Sequence, residues 1–240
     1  MRVLIAIPVY NEERYVERVL GRVLAQGHDV LVIDDGSTDA TPGIVASKPV
    51  RLIQRESNVG YGRSIRDAFA FAIAHGYDWL VTMDCDEQHE PDAIPSFLHE
   101  ASTGAWDVIS GSRYLERFEG NDHPPAERRA INAIITGEIN AKLGLRLTDA
   151  FCGFKAYRVS ALQRLTLTED GYALPMQFWA QAKAKGLRIT EIPVRLIYND
   201  PSRTFGGPLD DADVRLAHYR EVFERALAGV CTRAACGSCS

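Results

Sequence analysis

Two neighbouring carboxylates carry the strongest chemical signal in the chain, within the segment MDCDEQHEP at residues 83–91. Side chains alternate along an extended segment, so Asp84 and Asp86 share one face. Carboxylates this close repel each other unless a cation lies between them, and paired hard oxygens suit Mg²⁺ or Mn²⁺. Gln88 follows on the same alternation, and His89 is within reach of the same point. The alternative for this segment alone is a solvated acidic loop that caps the next helix.

Two further segments offer groups that a ligand can use. In IDDGSTDAT, at residues 33–41, Asp34 and Asp35 can accept hydrogen bonds from nucleobase N–H groups or ribose hydroxyls, although ordinary turn formation explains them equally well. In NVGYGRS, which includes Gly60, the glycines allow backbone to approach a ligand and the following helix N-terminus favours anions. The segment is neither a Walker loop nor a GxGxxG fingerprint, so alone it is a weak signal.

The elements that must position these residues alternate between short apolar runs and stretches of helical spacing. The pattern predicts strands at Val3–Ile7, Val30–Ile33, Arg51–Gln54, Asp78–Met83 and Asp107–Ser110. It predicts helices at Glu12–Ala25 and Ser64–His75 between them. Such an order is typical of a parallel sheet covered on both faces, whose ligands gather at the carboxyl ends of the strands. Each of the three polar segments follows such a strand or lies between one and a helix.

The second half of the chain is less regular. The pattern predicts helices at Ala126–Leu143, Leu174–Lys185 and Asp211–Leu227, with a strand at Arg188–Arg195 and a loop at Asn199–Pro208. We expect one domain over residues 1–228, followed by a disordered tail at 229–240. The tail holds three thiols without a nearby histidine, which is one ligand short of a zinc site: Cys231, Cys236 and Cys239.

Composition excludes several functional classes. The 240 residues are 46% hydrophobic and 25% charged, which is typical of a globular protein and not of collagen-like or low-complexity chains. The net charge of −5 gives no overall attraction to nucleic acid or anionic lipid. The most apolar stretch, Ala68–Ala74, is far shorter than the roughly 20 residues that span a bilayer. Two cysteines lie within patterned segments and three crowd the last ten residues, a distribution that does not resemble a disulfide framework, so we expect a cytoplasmic setting.

Taken together, the motifs resemble glycosyltransferase family 2. IPVYNE, IDDGSTDAT, NVGYG and MDCDEQHEP occur in the order of that family, between residues 7 and 91. SGSRY at 110–114 and TDAFCGFKAY at 148–157 are similar to the branch of dolichol-phosphate mannosyltransferases and polyprenyl-phosphate glucosyltransferases. The resemblance implies a GT-A fold of the α/β class, with a mixed central sheet and helices on both faces. It implies a nucleotide-sugar-binding half at 1–115 and an acceptor-binding half at 116–228.

The same resemblance implies roles for individual residues. The nucleoside pocket would be lined by Pro8, Tyr10, Glu12, Asp34 and Asp35, with Gly60 beside it. Asp84, Asp86 and Gln88 would hold Mg²⁺ or Mn²⁺ on the diphosphate of a nucleotide-sugar. Arg113 would contact an acceptor phosphate, and the other candidates for that cradle are Arg128, Arg129 and Arg203. We expect Asp86, Arg113 and Asp149 to be the catalytic residues.

The chemistry depends on the acceptor. A metal neutralises the leaving nucleoside diphosphate, and in-line attack on an oxocarbenium-like centre inverts the configuration. A hydroxyl acceptor needs a general base, for which Asp149 is the best candidate unless it pairs with an arginine. A phosphate monoester has a second pKa of about 6, so it is already nucleophilic and needs cations instead.

The sequence therefore predicts an inverting transferase that moves a hexose from a GDP-mannose- or UDP-glucose-type donor to a polyprenyl or dolichyl phosphate. We expect peripheral association with the cytoplasmic face of a membrane and no nucleic-acid partner. One alternative is a soluble transferase acting on a hydroxyl. Another is a non-catalytic nucleotide-sugar-binding subunit, because GYALPMQFW at 171–179 has Gln177 and no acidic residue where many relatives carry them.

Overall fold

A seven-stranded mixed sheet organises the residues that the computed structural model describes, 1–200 and 204–236. The strands lie in the order β3-β2-β1-β4-β6-β5-β7. Their bounds are β1 (Val3–Val9), β2 (Asp29–Asp34), β3 (Arg51–Gln54), β4 (Trp79–Thr82), β5 (Val108–Ser112), β6 (Lys155–Arg158) and β7 (Ile189–Pro193).

Eight helices connect and cover these strands in the described residues. They are α1 (Val16–Leu24), α2 (Thr41–Ala46), α3 (Tyr61–Ala74), α4 (Ile94–Ser102), α5 (Ala126–Leu143), α6 (Val159–Leu162), α7 (Leu174–Ala184) and α8 (Ala212–Cys236). Short 3₁₀ turns precede α4 at Pro91–Ala93 and α8 at Gly207–Asp210.

Alternating side chains of the central strands build two apolar layers, one on each face of the sheet. In β1, Leu4 belongs to the layer covered by α3, α5, α7 and α8, whereas Ile5 belongs to the layer covered by α1 and α4. Leu31 and Val32 in β2 divide in the same way. This period-two alternation is what a strand buried on both faces requires, and it explains why the strands are continuous apolar runs.

Strand β6 is the main feature that the pattern of apolar runs did not predict. It pairs antiparallel with β4 and with β5, whereas the other neighbouring strands are parallel. The strand has four residues, one of them the buried Lys155, and so lacks an apolar run. The mixed sheet implied by the family resemblance is confirmed. Because β6 starts at the edge where β4 ends, the preceding segment 149–154 lies beside the acidic segment.

Several helix boundaries differ from the sequence-based expectation. Helix α3 begins at Tyr61, three residues before the expected Ser64, and α4 had no prediction of its own. The last helix was expected to end at Leu227 but continues to Cys236, so residues 229–236 of the expected disordered tail are helical. Residues 237–240 and the side chains of Cys231 and Cys236 lie outside the described part of the chain.

Candidate active site

A cavity of about 1270 Å³ lies at the carboxyl ends of β1, β2, β4 and β5. Most of the residues that the sequence singled out line it: Pro8, Tyr10, Glu12, Asp35, Gly60, Asp84, Asp86, Gln88, Arg113 and Arg128. Three do not line it, namely Asp34, Arg129 and Asp149. Arg203 lies outside the described residues.

The acidic segment after β4 is ordered by its own backbone and by a neutral histidine. The backbone N–H of Gln88 donates to Asp86 Oδ1 (3.0 Å), and the N–H of Asp84 donates to Nδ1 of His89 (2.9 Å). Burial lowers the pKa of His89 to about 4, so the ring is neutral. Because Nδ1 accepts that bond and Nε2 lies 3.9 Å from Cys152 Sγ, His89 supports the loop and does not reach the cavity as a ligand.

The donor set at this end of the cavity fits a divalent cation shared with a ligand. Asp84 and Asp86 line the wall together with the amide of Gln88. Across residues 1–200 and 204–236, no group of three or more His, Cys, Asp or Glu side chains is able to hold a metal ion. Magnesium is usually held by one or two carboxylates and completed by phosphate oxygens and water. Two carboxylates facing a large cavity match that pattern.

Asp35 positions the glycine-rich segment, and Asp34 forms a turn. The Asp35 carboxylate accepts hydrogen bonds from the backbone N–H groups of Val59 (3.0 Å) and Gly60 (2.8 Å) and pairs with Arg55. Asp34 is fully buried, and its Oδ1 accepts from the N–H of Ser37 (2.9 Å). Of the two aspartates only Asp35 lines the cavity, whereas Asp34 makes the turn that the alternative for this segment predicts. That Asp35 contacts a nucleoside stays a prediction.

The glycines of NVGYG are required by close packing within the protein. A Cβ on Gly62 would lie 2.6 Å from the carbonyl oxygen of Gly171, and one on Gly60 would overlap the carbonyl of Asp170. Gly60 also has a φ of +123°, which side chains rarely adopt. The segment thus packs closely against the loop at 169–171, and Gly60 also forms part of the cavity wall.

Arg113 and Asp149 form a buried bidentate ion pair. Arg113 Nε donates to Asp149 Oδ2 (2.6 Å) and Nη2 donates to Oδ1 (2.9 Å), while Asn132 Nδ2 also donates to Oδ1 (2.8 Å). Burial alone would raise the pKa of Asp149, but the charge and hydrogen bonds of Arg113, with the Asn132 bond, lower it to about 2. A carboxylate engaged in this way is a poor proton acceptor, so the geometry favours the pairing alternative over the general base.

The basic side of the cavity includes one residue that the sequence did not reveal. Arg128 lies 4.8 Å from the ring centre of Phe205, and Arg215 lies 4.5 Å from the same ring. Arg129 follows Arg128 on α5 but is exposed. Arg215 is buried, pairs with Glu127 and donates to the carbonyl oxygen of Leu209 (2.5 Å). Nothing in the sequence around Arg215 indicates that it is buried, and packing against Phe205 turns it inward.

Gln177 lies in the segment where the family resemblance led us to expect acidic residues, and its role there is structural. Its Oε1 accepts from the backbone N–H groups of Thr168 (2.7 Å) and Glu169 (3.1 Å), and its Nε2 donates to Thr168 Oγ1 (2.9 Å). It does not line the cavity. Gln177 therefore stabilises the backbone at 168–169 and is not part of the cavity wall.

The family follows from a sequence profile described as "Glycosyl transferase family 2", which matches residues 4–166. The chain belongs to glycosyl transferase family 2. This confirms the resemblance seen in the ordered motifs, and it makes the chain a glycosyltransferase. Undecaprenyl-phosphate mannosyltransferase of Micrococcus luteus is 31% identical over 233 residues, which cover 91% of this chain and 94% of that protein. Polyprenol monophosphomannose synthase of Mycolicibacterium smegmatis is 28% identical, with 91% of this chain and 86% of that protein covered.

A solved structure supports the fold of this family 2 glycosyltransferase. Glucosyl-3-phosphoglycerate synthase from Mycobacterium tuberculosis, solved with Mn²⁺, UDP and glucosyl-3-phosphoglycerate, matches with a TM-score of 0.71 at 18% identity. The match covers 96% of this chain and 80% of that chain. The expected GT-A fold is confirmed.

Charge is divided between the two sides of the glycosyltransferase's cavity. Carboxylates come from the segments that follow β1, β2 and β4, at Glu12, Asp35, Asp84 and Asp86. Three of the guanidinium groups come from the segment after β5 and from α5 and α8, at Arg113, Arg128 and Arg215, whereas Arg14 lies in the segment after β1. The first side suits a cation with a donor, and the second suits an anion. No helix within the described ranges combines the length and the apolar character needed to cross a bilayer.

Proposed function

We propose that this glycosyltransferase moves a hexose, with inversion, from a nucleotide-sugar to the phosphate of a polyprenyl or dolichyl chain, with Mg²⁺ or Mn²⁺ bound beside the donor. The single observation that carries the acceptor assignment is the state of Asp149. It lies next to the basic side of the cavity but is bound to Arg113 through both oxygens. A phosphate acceptor needs no base, whereas a hydroxyl acceptor does.

The donor would lie on the acidic side. Asp84 and Asp86, with Gln88 beside them, would hold the cation, which neutralises the charge that develops on the leaving diphosphate. Asp35 would accept a hydrogen bond from the nucleoside, and Tyr10, which is 47% exposed at the rim, offers a ring for the base to contact. A GDP-mannose- or UDP-glucose-type donor satisfies these contacts.

The acceptor phosphate would lie between the donor and the arginines. Asp149 accepts one N–H from Nε and one from Nη2 of Arg113, so the N–H groups of Nη1 would be offered to a phosphate oxygen. Arg128 would supply the second cation, and its contacts with Tyr198 and Phe205 hold its guanidinium at the wall. One relative is named an undecaprenyl-phosphate mannosyltransferase and another a polyprenol monophosphomannose synthase, which supports a lipid-linked phosphate here. Peripheral association with the cytoplasmic face of a membrane is part of this proposal.

Lipid extraction after turnover tests the proposal. The protein is incubated with GDP-mannose or UDP-glucose, Mn²⁺ and detergent-dispersed undecaprenyl phosphate, and the lipid phase is analysed by mass spectrometry. Undecaprenol without phosphate and 3-phosphoglycerate serve as competing acceptors. We expect a lipid-phosphate hexose that disappears with EDTA and in Asp86→Asn. Transfer to undecaprenol or to 3-phosphoglycerate alone would refute the acceptor. Absence of transfer, together with no rise in melting temperature on adding GDP or UDP with Mn²⁺, would refute the enzyme assignment.

A further inference from the structure

A carboxylate on the edge strand β7 holds the segment that carries Asp149, although it does not itself line the cavity. Glu191 is aligned with Ser110 in the parallel pair of β5 and β7. Its Oε2 accepts hydrogen bonds from the backbone N–H (2.7 Å) and the hydroxyl (2.8 Å) of Thr148. Its Oε1 accepts the backbone N–H of Asp149 (3.0 Å). Because three donors converge on one side chain, the backbone of both residues is fixed relative to β7.

The hydroxyl of Thr148 extends this support to the turn after β5. Thr148 Oγ1 lies 2.5 Å from Ser112 Oγ. Ser112 Oγ in turn accepts the backbone N–H groups of Tyr114 (3.2 Å) and Leu115 (3.1 Å). A hydroxyl has one proton to donate, and that of Thr148 goes to Glu191, so Ser112 is the donor between the two hydroxyls. The hydrogen bonds therefore run in one direction, from the turn to the carboxylate.

The two segments that Glu191 ties together are the ones that meet at the buried ion pair. Arg113 lies in the turn held by Ser112, and Asp149 directly follows Thr148. Besides the guanidinium contacts, the backbone N–H of Arg113 donates to Asp149 Oδ2 (3.3 Å). The position of the guanidinium therefore depends on both segments, and the same carboxylate fixes both.

Only a carboxylate satisfies all the donors at this point. Each of them is a neutral N–H or O–H group, and the ionised side chain of Glu191 offers an acceptor on both of its oxygens. Glutamine has the same size but only one oxygen. Its NH₂ group would face either the N–H of Asp149 or the two donors of Thr148, and at least one hydrogen bond would be lost.

We infer that Glu191 is a positioning residue for the acceptor: its carboxylate, through Thr148 and Asp149, holds Arg113 where it meets the acceptor phosphate. The inference rests on the proposed function, since it presumes a phosphate acceptor at Arg113. If Arg113 leaves this position, the apparent affinity for the acceptor falls with the fraction of molecules that still hold it in place. Glu191, Thr148 and Ser112 do not line the cavity, so their effect on the acceptor passes through Arg113.

Steady-state kinetics with detergent-dispersed undecaprenyl phosphate test the inference. We expect Glu191→Gln to raise the KM for this acceptor roughly 5-fold or more, which is the equivalent of at least one lost hydrogen bond, and to leave the KM for the nucleotide-sugar unchanged. Asp107→Asn is the matched control. Asp107 Oδ2 accepts the backbone N–H of Arg188 (2.9 Å) at the opposite end of the same pair of strands, outside the cavity. It should lower the melting temperature and leave both KM values unchanged.

Substitutions of Thr148 test the hydroxyl link by itself. Thr148→Val keeps the shape of the side chain and both backbone hydrogen bonds to Glu191, but it disconnects Ser112. We expect the acceptor KM to rise roughly 2- to 5-fold, again with the donor KM unchanged. Thr148→Ser retains the hydroxyl and should have the acceptor KM of the wild type.

The outcomes separate this inference from the proposed function. If Glu191→Gln and Thr148→Val keep the acceptor KM of the wild type while Arg113→Ala raises it, the inference is wrong and the proposed function stands. An equal rise in Asp107→Asn, or an equal rise in the donor KM, would also overturn the inference, because general loosening of the fold would then explain the effect. If the wild type transfers nothing to undecaprenyl phosphate, or if Arg113→Ala leaves the acceptor KM unchanged, the acceptor site of the proposed function is wrong and the inference falls with it.

Discussion

Replacing Asp149 with asparagine separates an anchoring carboxylate from a general base, because the two roles predict opposite results. Asp149 is fully buried, and Arg113 and Asn132 donate to its oxygens. Its pKa falls from 3.8 to about 2 in the folded protein. That difference corresponds to roughly 2 to 3 kcal/mol of folding free energy at pH 7.

The sign of the effect fixes its pH dependence. A carboxyl whose pKa is lowered by folding stabilises the protein above its unfolded pKa, and the stabilisation is lost as the pH falls through the folded value. We therefore expect Asp149→Asn to unfold roughly 2 to 3 kcal/mol more easily than the wild type in urea at pH 7. At pH 3 the difference should shrink to about half, because the wild-type carboxyl is then mostly protonated in the unfolded chain while it is still mostly ionised in the folded protein.

Kinetics complete the experiment. As an anchor, Asp149 holds Arg113 in place, so Asp149→Asn should raise the acceptor KM together with the loss of stability. Asp107→Asn is the control: Asp107 binds Arg188 in the same bidentate way, through Nε (3.1 Å) and Nη2 (2.9 Å), but does not line the cavity. It should lose stability with no change in KM. The reasoning is refuted if Asp149→Asn is as stable as the wild type and loses about 10²-fold or more in kcat at unchanged KM, as removal of a general base would do.

Three further predictions compare matched positions or separate stability from activity. Arg128→Ala should raise the acceptor KM at least about 10-fold in steady-state assays, because a charge-assisted contact with the phosphate is lost. Arg129→Ala should leave the KM unchanged. Equal effects of the two substitutions would contradict the assignment of Arg128 to the cavity wall. Gly36→Ala should lower the melting temperature more than Gly76→Ala. Both glycines have positive φ, but only at Gly36 would the added Cβ lie 2.6 Å from a backbone atom, Ser57 Cα. Equal losses would show that the contact with Ser57 does not matter for stability. Gln177→Ala should cost about 1–2 kcal/mol in urea unfolding with kcat unchanged, and a fall in kcat would give Gln177 a part in the reaction.

The fold was predictable where local pattern and burial agree. Continuous apolar runs located β1 to β5, and the helical spacing of residues 126–143 matched α5 at both ends. The pattern did not reveal β6, because four residues with a buried lysine carry no periodic signal. Its antiparallel pairing depends on partners 73–79 residues away in β4 and 45–49 residues away in β5, and no local propensity encodes that.

In the candidate site, too, some features could be predicted from the sequence and others could not. Residues that directly follow a strand could be assigned to the sheet's ligand-binding edge from the sequence, since strand direction decides where they lie. What could not be predicted was which of two adjacent residues faces the cavity: Asp35 does and Asp34 does not, and Arg128 does and Arg129 does not. Neighbouring residues point to opposite faces at the end of a strand and about 100° apart on a helix. To say which of two neighbours faces the cavity, an element boundary must be known to within one residue, and boundaries predicted from a sequence are less accurate than that.

The amino-acid sequence by itself therefore determined the family, the order of the early strands and the acidic pair at the end of β4, because these depend on residue types at short spacing. Tertiary structure decided how those groups are used. It brought Arg113 onto Asp149 across 36 residues, which turned a candidate base into an anchor, and it turned Arg215 inward against Phe205. The physical reason is that charge state and orientation depend on burial and on partners that are distant along the chain.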